Sequence, residues 1–250
     1  MTPVGKVLVE HAEEILSRVR AARADLTSHA DRRKALRVGV FPSVATGLLP
    51  GVLREIAAKA PDLRVEPAES ATDTALSELV AQGEVDVAFA DLPVAAGPFE
   101  SRTILRDPCV LLVSESSDWA ERMEPPTLES LAQAPLVVLD GARSSAALEM
   151  WFTAQGFAPN VAARAGNEAT LRAFVAAGLG VAIVPRLAIE PRDARTQAIG
   201  LEEVVPERQI AIFWHRDRVH GDGLEVFRRA TIKIAGDLGT CVRPVELAAA

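Results

Sequence analysis

Four short turns hold the residues best placed to do chemistry. Phe41, Pro42, Ser43 and Val44 close the apolar run LRVGVF, and Ala90, Asp91 and Leu92 close VDVAFA. Gly141, Ala142, Arg143, Ser144 and Ser145 come after LVVL, and Gly166, Asn167 and Glu168 come after VAARA. Each turn joins a strand-like run to a helix-like one. A helix start presents free N–H groups and partial positive charge, which suits a carboxylate or phosphate. Ser43 adds a hydroxyl that the proline-bearing turn leaves unclaimed by a regular helix. Arg143 reads either as a solvated loop charge or as a bidentate anion clamp. Ser144 and Asn167, each taken alone, read first as plain helix caps, a place these types favour. Glu168 would oppose an anion, so it either reads a ligand amine or faces solvent.

Chemistry of other kinds is scarce. His11, His29, His215 and His220 lack the i, i+4 spacing of a zinc helix, and Cys109 and Cys241 lie far apart, so neither a metal site nor a disulfide framework is predicted. G-x-S-x-G and G-x-x-x-x-G-K are both missing. Gly178 and Gly180 come after a helix and before a strand, the reverse of a dinucleotide fingerprint, and read as a helix stop and tight turn. Asp91 with Glu168 is the sole acid/base pair the pattern suggests. The reading is therefore a binding protein with no cofactor, not an enzyme.

The turns need elements to hold them. Strand-like runs at 36–41, 63–67 and 85–90 alternate with helical patterns around Leu49–Ile56 and Ala75–Val80. Such spacing predicts right-handed crossovers and a parallel sheet. After the strand at Cys109–Ser114 the alternation restarts: strands at 136–139, 161–165, 181–184 and 210–214, helices at 144–155 and 168–177, and a last helix at 224–234. Pro185 halts the strand at 181–184 and is grouped with the turns. The pattern is two similar α/β halves, and in open α/β sheets ligands sit beyond the carboxyl ends of strands.

Ahead of these halves, Thr2 and Pro3 open a helix in which Val4, Leu8, Ala12, Ile15, Val19, Ala22 and Leu26 recur at three- and four-residue steps. That is a coiled-coil seam of about three heptads on a rod of about 40 Å. It has no core of its own to cover, so it predicts a dimerisation arm.

Composition limits the partners. Net charge is −7, and residues 1–35 carry seven Lys/Arg against five Asp/Glu, leaving an acidic remainder that repels phosphates. With 4% aromatics and no tyrosine, a stacking surface for single-stranded nucleic acid is not expected. No run of eighteen apolar residues and no export signal is seen, so a cytoplasmic protein away from membranes is expected.

The segments LRVGVFPSVATGLLPGVLREIAAKAPDLRVEPAES, LVAQGEVDVAFAD and FVAAGLGVAIVP, in this order and spacing, resemble the effector-binding domain of LysR-type transcriptional regulators. TPVGKVLVEHAEEILSRVRAA is similar to the linker helix through which those proteins dimerise. The resemblance covers about residues 2–240. It implies an α/β fold of two Rossmann-like subdomains with type-2 periplasmic-binding-protein topology, preceded by a long N-terminal linker helix. The implied division is 2–33 for the linker, 36–108 with 215–239 for subdomain I, and 109–214 for subdomain II. An effector, here a small organic acid, would bind between the subdomains, at the turns of Ser43, Arg143–Ser145 and Asn167. Partners implied are a homodimer through the arm, or a tetramer built from it.

Family members carry a winged helix-turn-helix ahead of the linker, and no recognition helix is found in these 250 residues. The chain is expected to sense and dimerise, and to bind DNA only if that module is supplied. Two other readings stay open. One is a stand-alone bilobal solute-binding protein or enzyme; the other is a truncated partner that heterodimerises with a full-length regulator and inhibits it.

Overall fold

The computed structural model describes residues 1–9, 11, 12, 15, 19, 35–70, 72–122, 124–189, 193–202, 204–238, 243 and 244. The N-terminal helix, α1, occupies residues 3–9, and residues 11, 12, 15 and 19 are helical as well. Thr2 caps it: its Oγ accepts from the Gly5 N–H at 3.1 Å. Ala22 and Leu26 of the predicted seam lie outside the described residues.

The first layer starts with β1 (Ala35–Val40), followed by α2 (Pro42–Gly47), α3 (Leu49–Lys59), β2 (Arg64–Glu69), α4 (Asp73–Gln82), β3 (Val87–Asp91) and β4 (Phe99–Asp107). The chain then builds a second layer. Its elements are β5 (Cys109–Ser114), α5 (Asp118–Glu121), α6 (Leu128–Gln133), β6 (Leu136–Leu139), α7 (Arg143–Ala154), β7 (Val161–Ala165), α8 (Glu168–Ala176), β8 (Ala182–Pro185) and β9 (Thr196–Gly200). A 3-10 turn at Arg186–Ala188 separates β8 from β9. β10 (Arg208–His215), α9 (Asp222–Asp237) and the short β11 (Arg243–Pro244) return to the first layer.

The first sheet has the order β11-β4-β10-β3-β1-β2. Its β2-β1-β3 part is parallel, as the strand–helix–strand pattern predicts, and β10 enters antiparallel to β3 and β4. The second layer joins the antiparallel set β8-β5-β9 to the parallel pair β6-β7 through a bridge between Leu136 and Val181. β4 and β9 lie where the sequence pattern predicts no element. Residues up to 214 were expected in the second subdomain, yet β10 pairs with first-layer strands from Arg208 onward, so the sheets place the return crossing before 208.

Each layer has its own core. β1, β3 and β10 are buried on both faces, which is why they read as unbroken apolar runs. α9 covers one face with Leu224, Phe227, Ala230, Thr231 and Ala235 inward at helical spacing. Phe227 meets Phe89 of β3 edge-on at 5.9 Å between ring centres. Burying one such side chain stabilises the fold by about 1.5–3 kcal/mol. α8 stops as expected, with Gly178 in the left-handed region (φ +79°).

A buried contact helps to bind the layers together. Leu187, between β8 and β9, is buried in the core of the first layer. Its N–H reaches Asp107 Oδ1 at 3.1 Å, and a Cβ on Gly47 would fall 2.6 Å from its carbonyl oxygen. A side chain at 47 would therefore push the turn out.

Candidate functional site

The carboxyl ends of β1, β3, β6 and β8 converge on a cleft between the layers, which the start of β10 also borders. Two adjoining hollows fill it. The larger is about 570 Å³, with Trp151, Leu148, Ile183 and Pro93 as apolar walls and Asp91, Arg143 and Ser144 among its polar atoms. The smaller holds only about 40 Å³ and brings Ser43, Ser145, Glu168 and Arg172 together. Ser144, Ile183, Pro185 and Arg208 line both.

Arg208 is the centre of the floor. Its Nε and Nη2 donate to Asp107 Oδ2 at 2.8 and 2.6 Å, and Nη2 also donates to Ser43 Oγ at 2.8 Å. Nη1 points to Asp91 at the longer distances of 3.4 and 3.5 Å. The Phe41 ring lies 5.3 Å from the guanidinium carbon. Asp107 is fully buried, and Arg208 and Asp91 keep side-chain exposures of 13% and 14%. Burial pushes the Asp107 carboxyl above its ordinary value, against the pull of Arg208 and the Leu187 N–H. The two carboxylates hold Arg208 firmly protonated, against the cost of its burial.

The turn at Ser43 differs from its sequence reading. Pro42–Gly47 is a short helix, and the Ser43 hydroxyl is claimed by Arg208 rather than left open. Successive helical residues are rotated by about 100°. Ser43 therefore faces the cleft floor while Val44 turns fully into the first core. Pro42 occupies the first helical position, half-buried, and Phe41 lies buried under Arg208.

On the opposite wall, α7 begins without a side-chain cap: Ala142 stands at its N-cap. Ser144 and Ser145, in its first turn, line the cleft. Arg143, exposed at the start of α7, lines the larger hollow. Its Nη2 donates to the Pro93 carbonyl at 3.0 Å, tying the second layer to the first at the rim. Asn167 caps α8, with Oδ1 accepting from the Thr170 N–H at 2.9 Å. Pro185 lines both hollows.

Sequence reasoning missed Arg208, Asp107 and Trp151. A signal existed for Asp107, a charge wedged between the apolar ends of β4 and β5. Glu168 faces the small hollow, where burial raises its carboxyl pKa against the pull of Arg172 and Arg208. A carboxyl whose folded value is raised subtracts stability when ionised, and that loss disappears as pH falls through the folded and then the unfolded value. Glu168→Gln should therefore raise the melting temperature at pH 7.5 by about 1–2 °C, a gain of about 0.5 kcal/mol. Melting curves at pH 7.5 and 4 check this: the advantage should vanish below about pH 4.

Among the described residues no group of His, Cys, Asp or Glu is arranged to hold a metal ion. Nor is any described helix long and apolar enough to cross a membrane. The cleft has the features of a recognition site: a shaped apolar wall, a fixed ionic floor and an uncapped helix start.

Residues 29–233 match the LysR substrate binding domain family. The chain belongs to that family. These residues form the effector-binding domain of a LysR-type transcriptional regulator, and the relatives of this LysR-type chain are regulators rather than enzymes. A probable hydrogen peroxide-inducible genes activator of Mycobacterium avium is 29% identical over 211 residues, covering 83% of this chain and 67% of that protein. The DNA-binding transcriptional dual regulator OxyR of Escherichia coli is 27% identical over 208 residues, covering 82% and 68%. Among solved structures, the reduced form of OxyR from N. meningitidis has a TM-score of 0.72 at 20% identity, covering 84% of this chain and 98% of that one. The BenM effector binding domain with its effector benzoate has a TM-score of 0.71 at 19% identity, covering 82% and 93%. These likenesses show the periplasmic-binding-protein-like fold with its two α/β layers.

Proposed function

We propose that the cleft binds a small organic acid and that binding changes the angle between the layers, regulating transcription through paired α1 helices. The observation that supports it most is the uncapped start of α7, opening beside a roomy apolar hollow. The ligand carboxylate would take the free N–H groups of Ser144 and Ser145, and its apolar body would lie against Trp151 and Leu148. A ligand that binds one angle better than another shifts the population toward it.

A thermal-shift screen of organic acids, with benzoate among the probes, tests the site. Ligand at a hundred times its dissociation constant adds about 2.7 kcal/mol, or roughly 5–10 °C for a chain of this size. If no acid raises the melting temperature, the reading fails.

Several relatives are named hydrogen peroxide-inducible genes activators, and Cys109, the cysteine among the described residues, is poorly suited to react with peroxide. Burial pushes the Cys109 thiol up to about 11, and its Sγ lies 3.7 Å from the Pro206 carbonyl. A thiol so rarely ionised at neutral pH is a weak nucleophile.

For pairing, Val4, Leu8, Ile15 and Val19 on α1 are 79%, 69%, 62% and 50% exposed, an apolar seam with no described neighbour over it. We take a second copy of this helix as its cover, forming the homodimer; DNA recognition would fall to a helix-turn-helix supplied alongside these residues. Leu8→Asp with Ile15→Asp should convert the dimer to monomer by light scattering, leaving the melting temperature of the body unchanged. A dimer that persists would move the interface elsewhere.

A further inference from the structure

Two carboxylates, Asp107 and Asp91, share the Arg208 guanidinium at the floor of the cleft. Asp107, fully buried and 2.6 Å from Arg208 Nη2, already balances that guanidinium. Asp91 is the second carboxylate on the same cation, and its contacts there, 3.4 and 3.5 Å, are too long for strong hydrogen bonds. Its side chain is nevertheless withdrawn from water at the wall of the larger hollow. A carboxylate in that position gains from any cation that completes its coordination. The other cations of the cleft are engaged in other ways: Arg143 donates to the Pro93 carbonyl, and Arg172 acts on Glu168.

We propose that the ligand carries a protonated amine seated on Asp91, in addition to its acid group; its class is an apolar amino acid. This rests on the cleft reading above and narrows it. The uncapped α7 start and Asp91 line the same hollow from opposite layers, so a zwitterion can engage both while its side chain fills the space against Trp151 and Leu148. A simple acid would satisfy α7 but leave Asp91 with only its long contacts to Arg208. The ammonium would also bridge the layers, since Asp91 ends β3 of the first and α7 belongs to the second.

Calorimetric titration of the full chain with matched pairs tests this. The probes are L-phenylalanine, L-leucine and L-tryptophan against 3-phenylpropanoate, 4-methylpentanoate and indole-3-propanoate. At least one amino acid should bind tenfold or more tightly than its desamino partner. Asp91→Asn should bring that ratio within about threefold, with Asp107 still holding Arg208 so that the fold is kept. Asp91→Glu, which retains the charge, should preserve a preference for the amine if the asparagine variant does not fold. Equal or tighter binding of the desamino acids to the unaltered chain overturns the amine and leaves the cleft reading standing. A tenfold preference that survives Asp91→Asn also overturns it. If neither set binds, both the amine and the cleft reading fall.

Discussion

Arg208→Met should unfold the protein about 3–5 kcal/mol more easily, because it strands the fully buried Asp107 charge without its partner. The loss is mostly the cost of an uncompensated carboxylate, not the net strength of the pair. Adding Asp107→Asn should therefore return at least half of it: the charge goes, and the amide oxygen can still accept from the Leu187 N–H. Urea denaturation of the two variants, read as midpoints at constant slope, separates these cases. A single-variant loss under about 1 kcal/mol would mean that water or a proton reaches Asp107.

The second large effect has opposite signs on binding and stability. Ser144→Asp places a carboxylate in the first turn of α7, where the N-cap offers none. The new side chain would occupy the N–H groups assigned to the ligand and repel its acid group. Affinity for whichever acid the screen identifies should fall at least a hundredfold, roughly 2.7 kcal/mol. The same charge favours the helix dipole, so the melting temperature of the unliganded chain should stay level or rise, consistent with about 0.3–1 kcal/mol. A variant that loses binding and stability together would show a damaged wall instead of a blocked site. Unchanged affinity would remove α7 from the site.

Much of the frame could be read from local pattern. β1, β3 and β10 stand out because burial on both faces makes them continuously apolar, and α9 because its inward residues keep helical spacing. β4 was hidden because its first half, FESR, has a single apolar residue, with the fully buried part confined to its end. β9 is a short edge strand of five residues, TQAIG, with little apolar content to mark it. At the site, the turns holding Ser43, Asp91 and Arg143–Ser145 were visible as strand ends. The role of Arg208 was not, since Asp107 is 101 residues away and Ser43 is 165, and a long-range ion pair leaves no periodic trace. Phe41 and Val44 flank Ser43 in the same turn. The helical form of α2 sends Val44 to the core, a rotation that a turn reading does not foresee. Asn167 shows the ambiguity of a cap: the same amide that could meet a ligand closes its own helix.

Leu187 has a consequence for cooperativity. A residue that emerges from one layer and finishes the hydrophobic interior of the other works as a dowel between them. Melting either layer exposes part of its neighbour's interior, so calorimetry should record one transition, not two. Residues 109–207 expressed by themselves would carry that leucine with nowhere to put it.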